Sequence, residues 1–208
     1  MVFHIVGGKW DESVDVNDQH SWIEVLEGDH QNIRLIDATQ DDGILITKKG
    51  WTVGRPMQSE GMPTKVIRKG VGFKLKPLLD VEAFYGQFLV NDKFKDIVEK
   101  LEPGVHQFFP MELYVGDEFQ RTDYFFNICN RLDTMDREQS FPINARGFYR
   151  PQEGEPHRLV FSTAKIGNHH AWRDKCVPGG AAYISNELAR RLQDVGITGV
   201  GYNARDEL

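Results

Sequence analysis

Apolar residues in the first part of this chain come in short runs broken by turn formers. Val2 to Val6, Ile33 to Ile36, Ile44 to Thr47 and Lys65 to Arg68 read as strands. Asp41-Asp42-Gly43 turns the chain between two of them. Ser21 to Leu26 is too short for its period to choose between helix and strand. From Gly50 to Gly72 the residues Gly54, Pro56, Gly61, Pro63 and Gly70 predict a long surface loop.

The second half carries the helical period, twice. Leu89-Val90-Asn91 leads into a stretch in which Phe94, Ile97, Val98 and Leu101 share one face, Pro103-Gly104 stops it, and Val105 to Phe109 resumes an extended pattern. Tyr183-Ile184-Ser185 leads in the same way into Leu188, Leu192 and Val195, with Gly196 closing the helix and Val200 to Tyr202 following. Asn91 and Ser185 suit the N-cap, where a short side-chain oxygen accepts from an orphan N–H of the first turn. Two such units suggest a pair packed against a shared sheet. Between them Met111 to Val115, Tyr124 to Cys129 and Arg158 to Phe161 read as buried strands, and Asp133 to Ser140 and Arg146 to Pro156 as polar loops. Strands outnumber helices without a regular βαβα alternation. The fold class is therefore α+β: a mixed or antiparallel sheet with few helices and two strand–helix–strand units in the second half. The division expected is a β-rich lobe over residues 1–80 and an α+β domain over 81–208, packed as one globular unit.

Composition is ordinary for a globular protein, with 40% hydrophobic and 27% charged residues in 208. A net charge of −6 argues against direct nucleic-acid binding, which needs a basic face. Charge is segregated. Residues 11–42 hold ten acids and one base, and residues 43–76 hold eight bases and one acid. Either the two segments lie side by side and neutralise each other, or the acidic one presents a patch that steers a basic partner. No stretch approaches the ~18 apolar residues of a membrane span, and the N-terminus lacks the basic and apolar regions of a secretion signal. Arg205-Asp206-Glu207-Leu208 resembles an ER-retention tail but has no use without such a signal. A reducing cytosol is the expected compartment, and Cys129 and Cys176 are expected as free thiols.

Candidate chemistry is thin. His169 and His170 are adjacent, so neither strand nor helix lets both reach one metal readily. A small hydrolase or nuclease using them with a carboxylate is the alternative reading. Asp133 and Asp136 read as turn acids satisfying local N–H groups. Gly70-Val71-Gly72-Phe73-Lys74 lacks the spacing of a phosphate loop. Neither a cofactor nor a metal is expected.

A longer pattern is more specific. Tyr124-Phe125-Phe126-Asn127-Ile128-Cys129-Asn130-Arg131-Leu132-Asp133-Thr134-Met135-Asp136-Arg137-Glu138-Gln139-Ser140 runs from an aromatic strand through Asn127 into an aspartate turn closed by Ser140. Further on come Ile166 to Trp172-Arg173, Tyr183 to Leu188, and Gly196-Ile197-Thr198-Gly199-Val200, with Leu78-Leu79-Asp80 and Asn91-Asp92 upstream. Together these resemble the signature of a large family of immunity proteins from bacterial polymorphic-toxin systems, over roughly residues 72–204. The resemblance implies a non-enzymatic antitoxin whose partner is a cognate toxin domain acting in the cytosol. Such a toxin is a basic nuclease, an ADP-ribosyltransferase or another enzyme, delivered for instance by type VI secretion or contact-dependent competition, and held inactive by occlusion of its active site. Asn127, Asp133, Asp136, Ser140, Trp172, Arg173, Ser185 and Gly199 are then expected to mark the fold. Asp15, Asp18, Glu24, Glu27, Asp41 and Asp42 are the expected partner-binding acids.

Overall fold

The computed structural model describes residues 1–9, 21–41, 50–70 and 77–208. The predicted strand Ile44 to Thr47, the turn residues Asp42 and Gly43, Asp15, Asp18 and Val71 to Lys74 lie outside them. The elements run β1 (Val2–Lys9), β2 (Ser21–Glu27), β3 (Lys65–Gly70), β4 (Val81–Phe84), β5 (Gln87–Val90), α1 (Asp92–Leu101), β6 (Gln107–Val115) and β7 (Glu118–Asn127). After these come β8 (Arg131–Leu132), β9 (Val160–Phe161), the single turn α2 (Thr163–Ile166), β10 (Ala171–Asp174), β11 (Ala182–Ser185), α3 (Asn186–Asp194) and β12 (Gly199–Glu207). They form two mixed six-stranded sheets, ordered β8-β10-β11-β1-β12-β9 and β2-β3-β6-β7-β5-β4. The α+β class with few helices holds.

Each strand–helix–strand unit forms as its pattern predicts. Asn91 accepts from the Phe94 N–H at 3.2 Å and Ser185 from the Leu188 N–H at 3.1 Å, each capping its helix through the third N–H. The two units do not share a sheet, however. β5 and β6 both run antiparallel to β7, which lies between them, so α1 crosses over β7 in the second sheet. β11 and β12 flank β1 in the same way, so α3 crosses over β1 in the first sheet. What the units share is a core. Phe94, Ile97 and Val98 of α1 meet Leu188, Ala189 and Leu192 of α3, with Ile5 and Ile184 from one sheet and Phe88 and Phe126 from the other. Each helix has one apolar stripe, and facing the two stripes removes both from water. Val195, expected on that stripe, is instead the exposed C-cap of α3.

Both sheets are also covered on their far faces. Val2, Met135, Phe161, Trp172, Cys176 and Tyr183 form a core beneath the segment joining β8 to β10. The far face of the second sheet buries Ile23, Val66, Phe84, Met111 and Phe125 against Ile33, Leu35, Val53, Met57 and Met62. Two expectations change here. Among the described residues Ile33 to Ile36 makes only an isolated bridge, Leu35 to Met57, and the stretch from Gly50 up to β3 is core cover rather than surface loop. Its backbone can be buried because Gln107 pairs with both the N–H and the C=O of Met57 (2.7 and 2.9 Å), and Asn127 donates to the Arg55 carbonyl at 2.9 Å. The strands of residues 1–80 divide between the sheets: β1 lies inside the first, while β2, β3 and the start of the chain's cover belong to the second.

The sheets touch directly where β4 crosses β1 and β12. Gly8 (φ +69) has no room for a Cβ, which would lie 2.7 Å from that of Ala83. Gly199 (φ +86) is tighter, because a Cβ there would collide with the Val81 carbonyl oxygen. Among the described residues no helix is long and apolar enough to cross a membrane.

Candidate functional site

The signature residues are spread through the fold, and each holds backbone in place. Asn127 is fully buried and ties the core cover to β6 through Arg55 and Gln107. Asp136 accepts from the Glu138 and Gln139 N–H groups, both at 2.9 Å, which is the turn duty expected of it. Asp133 pairs with Arg137 at 2.9 Å, and Arg137 in turn reaches the Cys176 sulfur at 3.0 Å. Ser140 both accepts from the Val160 N–H and donates to its carbonyl, locking the turn onto β9. Trp172 donates to the Thr134 hydroxyl at 3.0 Å. Arg173 is 2% exposed and spans the sheets, bonding Gln87 of β5 and the Gly180 carbonyl; burial pushes its guanidinium down to about 10. Thr198 and Asn91 both bond Asp80, joining the start of β4 to the cap of α1 and the turn before β12. These patterns mark how the chain folds.

The histidines converge on a shallow cavity of about 310 Å³ lined by His169, His170, Ser185, Glu187 and the chain's first residues. His170 Nδ1 lies 2.8 Å from Ser185 Oγ, superficially a base beside a nucleophile. That oxygen also accepts from Leu188 N–H as the α3 cap, so one of its two lone pairs serves the helix. His169, 43% exposed at the side chain, stands 3.5 Å from Glu102. Glu102 was not visible as special in the sequence, yet its carboxylate meets both His169 and His106. It is 5% exposed and accepts from Ala171 N–H (2.9 Å), Asn130 (2.8 Å) and His106 Nε2 (2.9 Å). The Cys129 N–H donates to His106 Nδ1, so the ring proton sits on Nε2 and points at Glu102. Burial pushes the Glu102 carboxyl up, but His106 and the backbone donors outweigh it and hold it below the usual carboxylate range. One clue was available: a carboxylate at the C-terminal end of a helix opposes the macrodipole and needs donors to be tolerated. Among the described residues no cluster of three or more His, Cys, Asp or Glu side chains could hold a metal. Both thiols are free, and burial raises each, Cys129 to about 11.

Of the acids expected to meet a partner, Asp15, Asp18 and Asp42 fall outside the described residues. Glu24 and Glu27 lie on β2, an outer strand of the second sheet, and pair with Lys69 (2.5 Å) and Lys65 (4.0 Å) across the β2–β3 ladder. The acidic and basic segments therefore do lie side by side at this point. Asp41 is different: its side chain is 16% exposed and clasped by Arg55 and by Arg131 at 2.6 Å, with Lys175 at 4.0 Å. Burial raises its carboxyl and these cations more than offset that, so its charge is used within the fold.

No curated protein matches the chain. A family model, the immunity protein family (Imm11), matches residues 46–206, beginning well upstream of residue 72, where the sequence resemblance starts. That span takes in the Gly50–Thr52 turn and the core cover held by Asn127 and Gln107, as well as every strand from β3 to β11 and most of β12. The chain belongs to the immunity protein family (Imm11).

Proposed function

We propose that this protein is an antitoxin that binds one cognate toxin acting in the cytosol and blocks it stoichiometrically, by covering its active site. The observation that carries this reading is the family match over residues 46–206. The arrangement of the histidines supports it, because the hydroxyl nearest His170 caps α3 and the Glu102 carboxylate is already engaged by three donors from within the fold. The toxin classes that fit an acidic protein of net charge −6 are those with basic surfaces, such as a nuclease or an ADP-ribosyltransferase. Glu24 and Glu27, with Asp15 and Asp18 preceding them in sequence, are the acids proposed to face it.

Co-expression tests this. The C-terminal domain of the protein encoded beside this chain should arrest growth alone and be tolerated with it. His169→Ala and His170→Ala should both still protect. Loss of protection by either variant, with the fold retained, would favour the alternative reading of a small hydrolase. Reversing Asp15, Asp18, Glu24 and Glu27 to Lys should weaken the complex and flatten its salt dependence; unchanged affinity at low and high salt would remove these acids from the interface.

A further inference from the structure

The far face of the first sheet, away from the central core, is covered only in part. On that face the ladder register sets Tyr183 of β11, His4 of β1 and Asn203 of β12 in one row, and Ser185, Val2 and Arg205 in the next. The segment between β8 and β10 lies over it. The Tyr149 N–H holds that cover to the Cys176 carbonyl (2.9 Å), and Phe141 and Arg158 exchange two bonds (2.9 and 2.8 Å). Where the cover stops, a cavity of about 280 Å³ remains, with His4, Tyr149, Arg158, Tyr183, Arg205 and Asp206 in its walls. His4 and Tyr183 have their ring centroids 5.7 Å apart.

These walls offer donors and little to receive them. Tyr183 and Tyr149 are 2% and 8% exposed, and neither hydroxyl finds a hydrogen-bond partner among the described residues. A buried donor left unmade is costly, so an oxygen arriving there recovers free energy. Burial is the largest influence on both phenols and holds each above its ordinary range, so both keep their protons at neutral pH. Arg205 opposes that rise and adds to burial in lowering the His4 imidazole, which places its charge close to all three rings. Among the described residues the Arg205 guanidinium bonds the Ala204 carbonyl at 3.0 Å and pairs with no carboxylate. The acid in this wall, Asp206, is held by Arg158 Nε at 2.8 Å. Asp174, whose charge also reaches Tyr183, already accepts from the Thr134, Met135 and Cys176 N–H groups.

We propose that this cavity binds a small phosphate monoester, its phosphate held by Arg205 and the Tyr149 and Tyr183 hydroxyls and its organic group lying against the rings of His4, Tyr149 and Tyr183. The donors come from a guanidinium, two hydroxyls and an imidazole on three strands and the cover. A tetrahedral phosphate presents oxygens in several directions at once, whereas a carboxylate presents two in one plane. Two arginines against one acid leave the walls positive. The volume lies at the low end for ligand pockets, which suits a monoester carrying one ring rather than a dinucleotide. This site goes beyond the antitoxin reading and does not depend on it.

An NMR titration of the full chain tests this, with the His4 ring as local reporter and phenyl phosphate, inorganic phosphate, benzoate and phenol as probes. Phenyl phosphate should shift the His4 resonances and bind at least about tenfold tighter than each of the other three. Tyr149→Phe and Tyr183→Phe each remove a hydroxyl that bonds nothing in the fold. Melting temperature should therefore hold while phenyl phosphate binding falls about tenfold. Arg205→Gln should cost at least about tenfold; should it fail to fold, the two tyrosine variants decide. Arg34→Gln removes the same charge from an exposed position on the cover of the second sheet and should change nothing. Phenyl phosphate binding that is undetectable, or equal in the unaltered chain and in Y149F, Y183F and R205Q, would overturn the site. Benzoate binding as tightly as phenyl phosphate would overturn the phosphate assignment in favour of a carboxylate, such as an acidic side chain of a partner. Inorganic phosphate or phenol binding as tightly would overturn the pairing of phosphate and ring.

Discussion

Replacing Gly199 with alanine probes the place where the two sheets touch. The residue has φ +86, and an added Cβ would meet the Val81 carbonyl oxygen and lie 2.9 Å from Leu79 Cβ. A side chain in the left-handed region costs roughly 1–2 kcal/mol. Forcing an atom into filled space adds roughly 1–3 kcal/mol. The backbone of β4 cannot yield cheaply, because Val81 N–H is bonded to the Thr198 carbonyl at 3.1 Å and the strand is paired with β5. The sum is about 2–5 kcal/mol, a large part of the 5–15 kcal/mol that holds a typical domain together. In a protein of this size that lowers the melting temperature by about 4–20 °C. Gly104→Ala is the control. Gly104 also has positive φ, +68, but nothing lies within 4 Å of its Cβ position, so only the backbone cost of roughly 1–2 kcal/mol applies. Urea unfolding of the three proteins separates the two contributions. Equal losses for G199A and G104A would refute the close crossing of β4 over β12.

Two further predictions concern polar groups inside the fold. Glu102→Gln should cost about 1.5–3 kcal/mol at pH 7, because three donors lose a charged acceptor. The Glu102 carboxyl is held below its ordinary range in the folded state, so its contribution is complete above the unfolded carboxylate range and fades as pH falls through the folded value. The stability gap between wild type and E102Q, measured in urea at pH 7 and near pH 3.5, should therefore narrow in acid; a gap that widens would contradict the assignment. Ser185→Ala should cost about 1 kcal/mol through loss of the α3 cap and leave His170 Nδ1 without its partner. A thermal melt within 1 °C of wild type would show that the cap is not used.

Helices α1 and α3 were legible because each is written locally. Asn91 and Ser185 announce the caps, and the 3.6 period names the faces that meet in the central core. That the two units occupy different sheets was not legible. It depends on β1 inserting between β11 and β12 and on β7 inserting between β5 and β6, pairings set by register over long separations. The burial of the Gly50–Met62 stretch was hidden for a similar reason. Its glycines and prolines read as surface loop, and only the side-chain amides of Gln107 and Asn127, far off in sequence, make it a core cover. The acids show the opposite failure. Charge counting treats Asp41 and Glu24 alike, whereas Arg55 and Arg131 enclose the first and Lys69 meets the second across the β2–β3 ladder. The family pattern was readable from Asn127, Ser140, Arg173 and Gly199 because these residues solve folding problems, and for the same reason it says little about which surface meets the toxin.

A titration of toxin activity against this chain measures the central claim most directly. An antitoxin that acts by covering its target should reduce activity in a straight line that reaches zero at one equivalent, with the toxin recovered intact after the complex is denatured. Silencing at a small fraction of an equivalent, or a chemically altered toxin, would mean that the chain turns over its target, and full activity at excess would mean that the two do not meet.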